Sequence, residues 1–468
     1  MVSRNALFYA AVILLFGAGI YAILHLGSGL RAPAETLESS GIPGSVTEGL
    51  RQNLRHPLSV LLLQVIVVLV ASRVMGSVFR RLGQPSVIGE MASGILLGPS
   101  LLGALSPAAE SFLFPASSLE SLHLLSQIGV ILFMFVVGFE LETQHLRERA
   151  DAAVLVSHAS IIVPFFLGTA FSLTIYRSLA PEGVSFTAFA LFMGIAMSIT
   201  AFPVLARILD ERGLTRTQLG ATAIACAAVD DVTAWCLLAL VVAIVKADGL
   251  FAAALTVALA ALFTAVMLVA ARPRVARAIQ RATAAEPRSK GMVAGVLAFV
   301  LASALATEII GIHALFGAFL AGVVLPADEN LRAFLRSRLE AFSSVFLLPL
   351  FFAFTGLRTQ LGLLGDWSGW LLCASVIGVA ICGKLGASAL AARWTGMSWR
   401  ESLSLGVLMN TRGLMELIAL NIGYDLGILS PRMFTMMVLM ALATTMMAGP
   451  ALGLIERSKS HMARGTLS

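Results

Sequence analysis

Apolar runs of about 20 residues, the length that crosses the hydrocarbon core of a bilayer, recur along almost the whole chain and restrict its possible folds more than any other feature. A segment in lipid must satisfy its backbone hydrogen bonds within the protein, so its spans are helices or the strands of a closed barrel. Barrel strands alternate polar and apolar residues over about ten positions, and these runs do not alternate. Only 12% of the 468 residues are charged and 58% are hydrophobic, against about 25% charged in soluble domains. With a mean hydropathy of +0.91, the chain is expected to be an all-α, polytopic membrane protein.

About fourteen spans are predicted, at 5–26, 57–77, 85–103, 119–139, 150–176, 184–209, 217–246, 249–271, 291–308, 309–325, 340–357, 367–392, 402–424 and 431–455. The first, behind Arg4, reads as a signal anchor or a cleaved signal peptide, with retention favoured because "AILHLGSG" is a poor signal-cleavage site. Residues 27–56, with Gly, Pro and Ser, read as an exposed linker. The net charge of +6 does not point to nucleic acid, because the basic residues sit in short loops. They fall at Arg80/Arg81, Arg147/Arg149, Arg212/Arg216, a long 272–290 loop (including Arg288), Arg332/Arg336/Arg338, Arg393/Arg400 and the tail after Arg457. Every second loop is basic, which places those loops and the 456–468 tail on the cytoplasmic side.

From Pro57 the order is six spans, a connecting span at 249–271, and six more. An odd connector sets the two groups of six in opposite orientations, the layout of an inverted repeat. The fifth span of each group is interrupted, at "SITAFPVLAR" (198–207) and at "VLMNTRGLMEL" (407–417). Pro203 lacks a backbone donor, and Gly413 beside Asn410 and Arg412 weakens the second helix. Matched interruptions in two halves point to a midplane ion or substrate site.

Ionisable groups at depth cost about 2.5–3.5 kcal/mol each on insertion scales and are functional candidates by default. Asp230, Asp231, Lys384, Arg412 and Glu416 are the deep ones. Neighbours on a helix point about 100° apart, so Asp230 and Asp231 need separate partners, and their protonation is coupled. One could pair with a buried cation while the other faces water and alternates between a proton and a metal ion. Lys384 is a possible second proton-exchanging group, with snorkelling toward Arg393 as the alternative. Arg412 and Glu416, spaced i,i+4, either neutralise each other or act on the ion path. Thr200, Asn410 and Thr411 could offer oxygens to a hard cation. Glu90, in "GQPSVIGEMASGILLGPSLLG" (83–103), reads as structural or as part of an entry funnel, among glycines that permit close helix packing. His158 and His313 read as packing residues. Cys226, Cys236, Cys373 and Cys382 show no paired spacing and read as small buried side chains.

Four stretches together, "GQPSVIGEMASGILLGPSLLG", "SITAFPVLARILDERGL", "AAVDDVTAW" and "NTRGLMELIALNIGYDLGIL", resemble the monovalent cation:proton antiporter superfamily over about residues 57–455. The likeness is greatest to the Asp-Asp branch of plant cation/proton exchangers and bacterial sodium or potassium/proton exchangers. That resemblance implies a homodimer whose protomers carry a panel (57–139 and 291–357) and a mobile core (150–246 and 367–455), joined through 249–290. It implies that the interrupted helices, with Pro203 in the first, cross within the core. It further implies that Asp231 carries the cation and proton, that Asp230 pairs with Lys384, and that exchange is often electrogenic. The additional first span (1–56) departs from the pattern, and a C-terminal nucleotide-binding regulatory domain is expected to be absent. Partners are then the lipid bilayer, Na⁺ or K⁺ and protons, without cofactor or nucleic acid, in a bacterial inner membrane. Rival readings are a cation channel or uniporter and an intramembrane aspartyl protease. The protease needs two aspartates on facing helices, whereas Asp230 and Asp231 are adjacent on one helix, and a possible distant partner, Asp425, lies at an outer span end.

Overall fold

The computed structural model describes residues 46–140, 150–214, 217–246, 250–285, 290–326, 328–340 and 342–465, with parts of 14–26. The first predicted span lies largely outside them, as do Arg147, Arg149, Arg216 and Arg288. Residues 1–56 form one unit and Pro57–Ser468 another. Within the expected linker, Val46–Leu54 is a helix.

The described residues form helices and no strand. In the second unit these are α1 (Pro57–Arg81), α2 (Ser86–Leu97), α3 (Ala116–Glu140), α4 (Ala150–Leu179), α5a (Phe186–Ser198), α5b (Phe202–Glu211) and α6 (Gln218–Lys246). After α7 (Leu250–Ala265) come α8 (Lys290–Ile310), α9 (Ala314–Val323) and α10 (Leu348–Leu357). The last are α11 (Trp367–Trp394), α12a (Trp399–Met409), α12b (Leu414–Asp425) and α13 (Pro431–Gly465). Among the described residues ten helices are long and apolar enough to cross a membrane, and the bent pair α12a–α12b makes an eleventh. The difference from fourteen lies in the first span, in the divided α5a and α5b, and in α9, which has only 10 residues, whereas α2 and α10 are parts of the longer spans Ser86–Leu105 and Glu329–Leu364.

Two predicted loops are helical. The chain continues past α7 through a π turn, Val266–Ala271, into Arg272–Ala285. Alanine, arginine and glutamine favour helix there, and the π turn lies just before Pro273, whose missing N–H and ring disrupt a regular ladder. The C-terminal tail likewise extends α13 to Gly465. Cys226 and Cys373 are buried as expected, but Cys236 and Cys382 are exposed on their helix faces.

Helices α1, α2, α3, α8, α9 and α10 pack mainly on one another, while α4, α5a, α6, α11, α12a and α13 make a second group. The glycine-rich stretch at 83–103 explains one contact in the first group. A Cβ on Gly94 would stand 2.0 Å from the Ala353 carbonyl oxygen, and one on Gly356 would stand 2.4 Å from that of Met91. Only glycine lets α2 and α10 approach this closely.

Candidate functional site

Both interrupted spans break in the second group of helices. Residues 199–201 separate α5a from α5b, and residues 410–413 separate α12a from α12b at a 42° bend. The two breaks touch. The Ala201 N–H donates to the Thr411 carbonyl at 3.0 Å, and the Thr200 hydroxyl reaches the Met409 carbonyl at 3.2 Å. A Cβ on Gly413 would lie 2.8 Å from Val204 Cγ2, so glycine is the residue that fits this crossing. Each break leaves helix-terminal N–H and C=O groups without intrahelical partners, and polar side chains collect around them.

The paired aspartates differ sharply in surroundings. Asp230 is fully buried and its carboxylate is saturated. Ser157 donates to Oδ1 at 2.6 Å. Ser160 and Thr200 donate to Oδ2 at 2.7 and 2.5 Å, and Lys384 Nζ lies 3.0 Å from the same oxygen. Asp231, one residue on, is almost as buried, yet its Oδ1 has no hydrogen-bond partner. The Phe202 N–H, the first amide of α5b, is directed at its carboxyl. A helix N-terminus favours negative charge. One turn along α6, the buried Trp235 indole N–H is also without a partner.

Lys384 sits in a π turn of α11, Cys382–Gly386. Its ammonium has three protons and finds three acceptors. These are Asp230 Oδ2, the Ser160 carbonyl at 3.0 Å and the Ser198 carbonyl. Ser198 is the last residue of α5a, so the lysine caps the negative end of that half-helix. Snorkelling toward Arg393 is not what the side chain does.

Arg412 caps the same helix end. It donates to the carbonyls of Ala196 at 2.8 Å and Met197 at 2.6 Å, and to Glu416 Oε2 at 2.7 Å, with both ionic side chains fully buried. The pair therefore neutralises itself and also anchors α5a. Thr411 donates to the Leu408 carbonyl at 2.7 Å. Thr200 donates into the Asp230 network, so neither hydroxyl donates its proton outside the cluster. Asn410 Oδ1 remains a buried oxygen without a partner. Pro203 lies in the first turn of α5b, where its missing N–H interrupts nothing.

The other ionisable residues weighed in the sequence fall outside the cluster. His158 is exposed, bonding the Val154 carbonyl at 2.8 Å, and His313 caps α9. Glu90 is half-buried on α2, in the other helix group. Asp425 is tied to Arg358 at 2.7 Å and approaches His123 at 3.4 Å, so it does not face Asp231 and the protease geometry is not formed. Conversely, Ser157 and Ser160 were not singled out from the sequence. For Ser160 the available signal is Pro164, four residues later; Ser157 has none.

A cavity of about 420 Å³ is lined by Phe135, Phe139 and Phe202 and by Glu329, Arg332 and Arg336 of the basic-loop face. Phe202 is thus shared between the cavity and the surroundings of Asp231. A second cavity of about 410 Å³, near His123, Arg358 and Tyr424, includes none of the carboxylate cluster.

The sequence and the fold have counterparts among known proteins. The model of the transmembrane sodium/hydrogen exchanger family matches residues 65–456. The Na(+)/H(+) antiporter NhaS4 of Synechocystis is 45% identical over 407 residues, covering 87% of this chain and 99% of that protein. Cation/H(+) antiporter 17 of Arabidopsis thaliana is 41% identical, over 85% of this chain. The yeast K(+)/H(+) antiporter 1 is 33% identical, over 86% of it. The chain spans about half the length of these last two, 48% and 47%. The solved sodium proton antiporter MjNhaP1 of Methanocaldococcus jannaschii shares the fold, with a TM-score of 0.60 at 13% identity over 87% of this chain and 98% of its own. The chain belongs to the transmembrane sodium/hydrogen exchanger family.

Proposed function

We propose that the protein exchanges a monovalent cation, Na⁺ or K⁺, for protons across the membrane, with Asp231 as the group for which the two compete. The observation that carries this is the contrast between two adjacent buried carboxylates. Asp230 has every strong donor it needs, whereas Asp231 keeps an oxygen without a partner beside a helix N-terminus. A buried carboxylate with one oxygen left without a donor is unstable as a bare anion and is relieved by either a proton or a cation. That competition couples the two fluxes.

The two helix groups act as panel and core in a homodimer, and alternating access moves one against the other. The basic-loop side is cytoplasmic, so the cavity reaching Phe202 is the inner approach. On the opposite face α10 and α12b are tied together. Arg358 bonds Asp425 at 2.7 Å and Asn421 at 3.0 Å, and Asn421 donates to Thr355 at 2.8 Å. These contacts hold the outer seam shut. Asp425→Asn should favour opening outward. A partly exposed pair is worth about 0.2–1 kcal/mol, so apparent cation affinities measured from the two sides should change by about 1.5- to 5-fold in opposite directions. Equal affinities before and after would show that the seam does not bias access.

The direct test is proton flux in proteoliposomes, followed with a pH-sensitive dye while Li⁺, Na⁺, K⁺ or Rb⁺ is titrated, with and without a clamped potential. Saturable, cation-dependent dissipation of an imposed pH gradient is expected. Cation flux without proton counterflow would instead assign a channel.

A further inference from the structure

We infer that Pro164 is a positioning residue for Lys384, acting through the backbone rather than as a simple kink. In an α-helix the carbonyl of residue 160 accepts from the N–H of residue 164. Residue 164 is a proline inside α4, so that donor does not exist. The carbonyl freed in this way is the one that Lys384 Nζ reaches at 3.0 Å. A buried ammonium needs acceptors for all its protons, and α4 supplies one by omitting a helical hydrogen bond.

A second contact joins the same residues. A Cβ built on Gly383 would lie 3.2 Å from both Cα and Cβ of Pro164. Gly383 precedes Lys384 within the π turn Cys382–Gly386, and π turns inside helices are frequent at functional sites. The proline ring therefore packs on the turn that carries the lysine while its helix presents the vacant carbonyl. Ser160 completes the link: its hydroxyl donates to Asp230 at 2.7 Å while its carbonyl accepts from Lys384. One residue thus holds both members of the ion pair, and Pro164 sets its conformation. The transport consequence rests on the exchange reading above, but the structural coupling does not.

The test is a double-mutant cycle of Pro164→Ala with Lys384→Ala, read as thermal unfolding in detergent and as cation-dependent exchange in proteoliposomes. Alanine restores the N–H at 164 and a helical partner for the Ser160 carbonyl. In the parent, Pro164→Ala should lower the melting temperature by about 1.5–3 °C, the shift that weakening one charged hydrogen bond gives a chain of this size. It should also raise the half-saturating cation concentration at least threefold. In the Lys384→Ala background the same substitution should leave the melting temperature unchanged or raise it, because the carbonyl then has only the helix to serve. Additive losses in both backgrounds would overturn the inference and reduce Pro164 to a packing residue. If Pro164→Ala does not fold, Pro164→Gly, which also restores the N–H, is measured in the same cycle with the same criterion. The unfolding arm decides the coupling even where exchange is absent, so its failure is distinct from failure of the exchange assignment.

Discussion

Asp231→Asn abolishes cation-dependent proton flux in proteoliposomes, by at least about 100-fold, while the protein stays folded. Asparagine keeps the shape of the side chain, but it neither takes up a proton near neutral pH nor carries the charge that attracts a cation. Both competing substrates are lost together. The structure also sets the control. Asp231 Oδ1 has no hydrogen-bond partner to lose, and removing a buried carboxylate relieves a desolvation cost of several kcal/mol. The variant's melting temperature should therefore equal or exceed that of the parent. Asp230→Asn behaves in the opposite way, because it strips Lys384 of its carboxylate and weakens the acceptor for three hydroxyls. It should unfold at a lower temperature as well as lose exchange. Substantial flux through Asp231→Asn would place the carrier elsewhere, and a large drop in its melting temperature would show that Asp231 is a structural residue.

The division between these two acids was legible in the sequence because it follows from helix geometry: neighbours about 100° apart cannot share one partner. The interrupted spans were legible for a similar reason. Proline, and glycine amid polar residues, announce a broken ladder wherever the rest of the protein lies. What surrounds Lys384 was not legible. Serines such as Ser157 and Ser160 are unremarkable within apolar helices, and Pro164 alone reads as a bend. Their meaning appears only once α4 packs against the π turn of α11, more than 200 residues away in the chain. "CGKLG" (382–386) carries no periodic signal that distinguishes a π turn from an α turn. The helix Arg272–Ala285 is illegible for another reason: its basic composition argues for the membrane surface but does not separate helix from loop.

Arg412 shows where local spacing gave only half of the answer, and its removal carries the second large expected effect. The i,i+4 relation to Glu416 is visible in the sequence. The carbonyls of Ala196 and Met197, about 215 positions away, are not. These are the final carbonyls of α5a, adjoining the Ser198 carbonyl that Lys384 takes, so two buried cations close one half-helix end. Arg412→Ala leaves the two carbonyls and the Glu416 carboxylate without their donor in a buried site. Breaking a buried ion pair from one side costs about 3–5 kcal/mol, and the expected result is a melting temperature lower by about 3–5 °C. Exchange should fall to background, because the end of α5a then loses its position beside Asp230. Adding Glu416→Gln removes the stranded charge, so Arg412→Ala/Glu416→Gln should recover part of the lost stability. It should not recover exchange, because the carbonyls of Ala196 and Met197 remain uncapped. Arg412→Lys keeps the charge but not the fork that spans both carbonyls, and should fall between parent and alanine in stability. If the double variant recovers exchange along with stability, Arg412 acts only by neutralising Glu416. If Arg412→Ala keeps the parent melting temperature, the half-helix end is held by the backbone crossing of Ala201 and Thr411 instead.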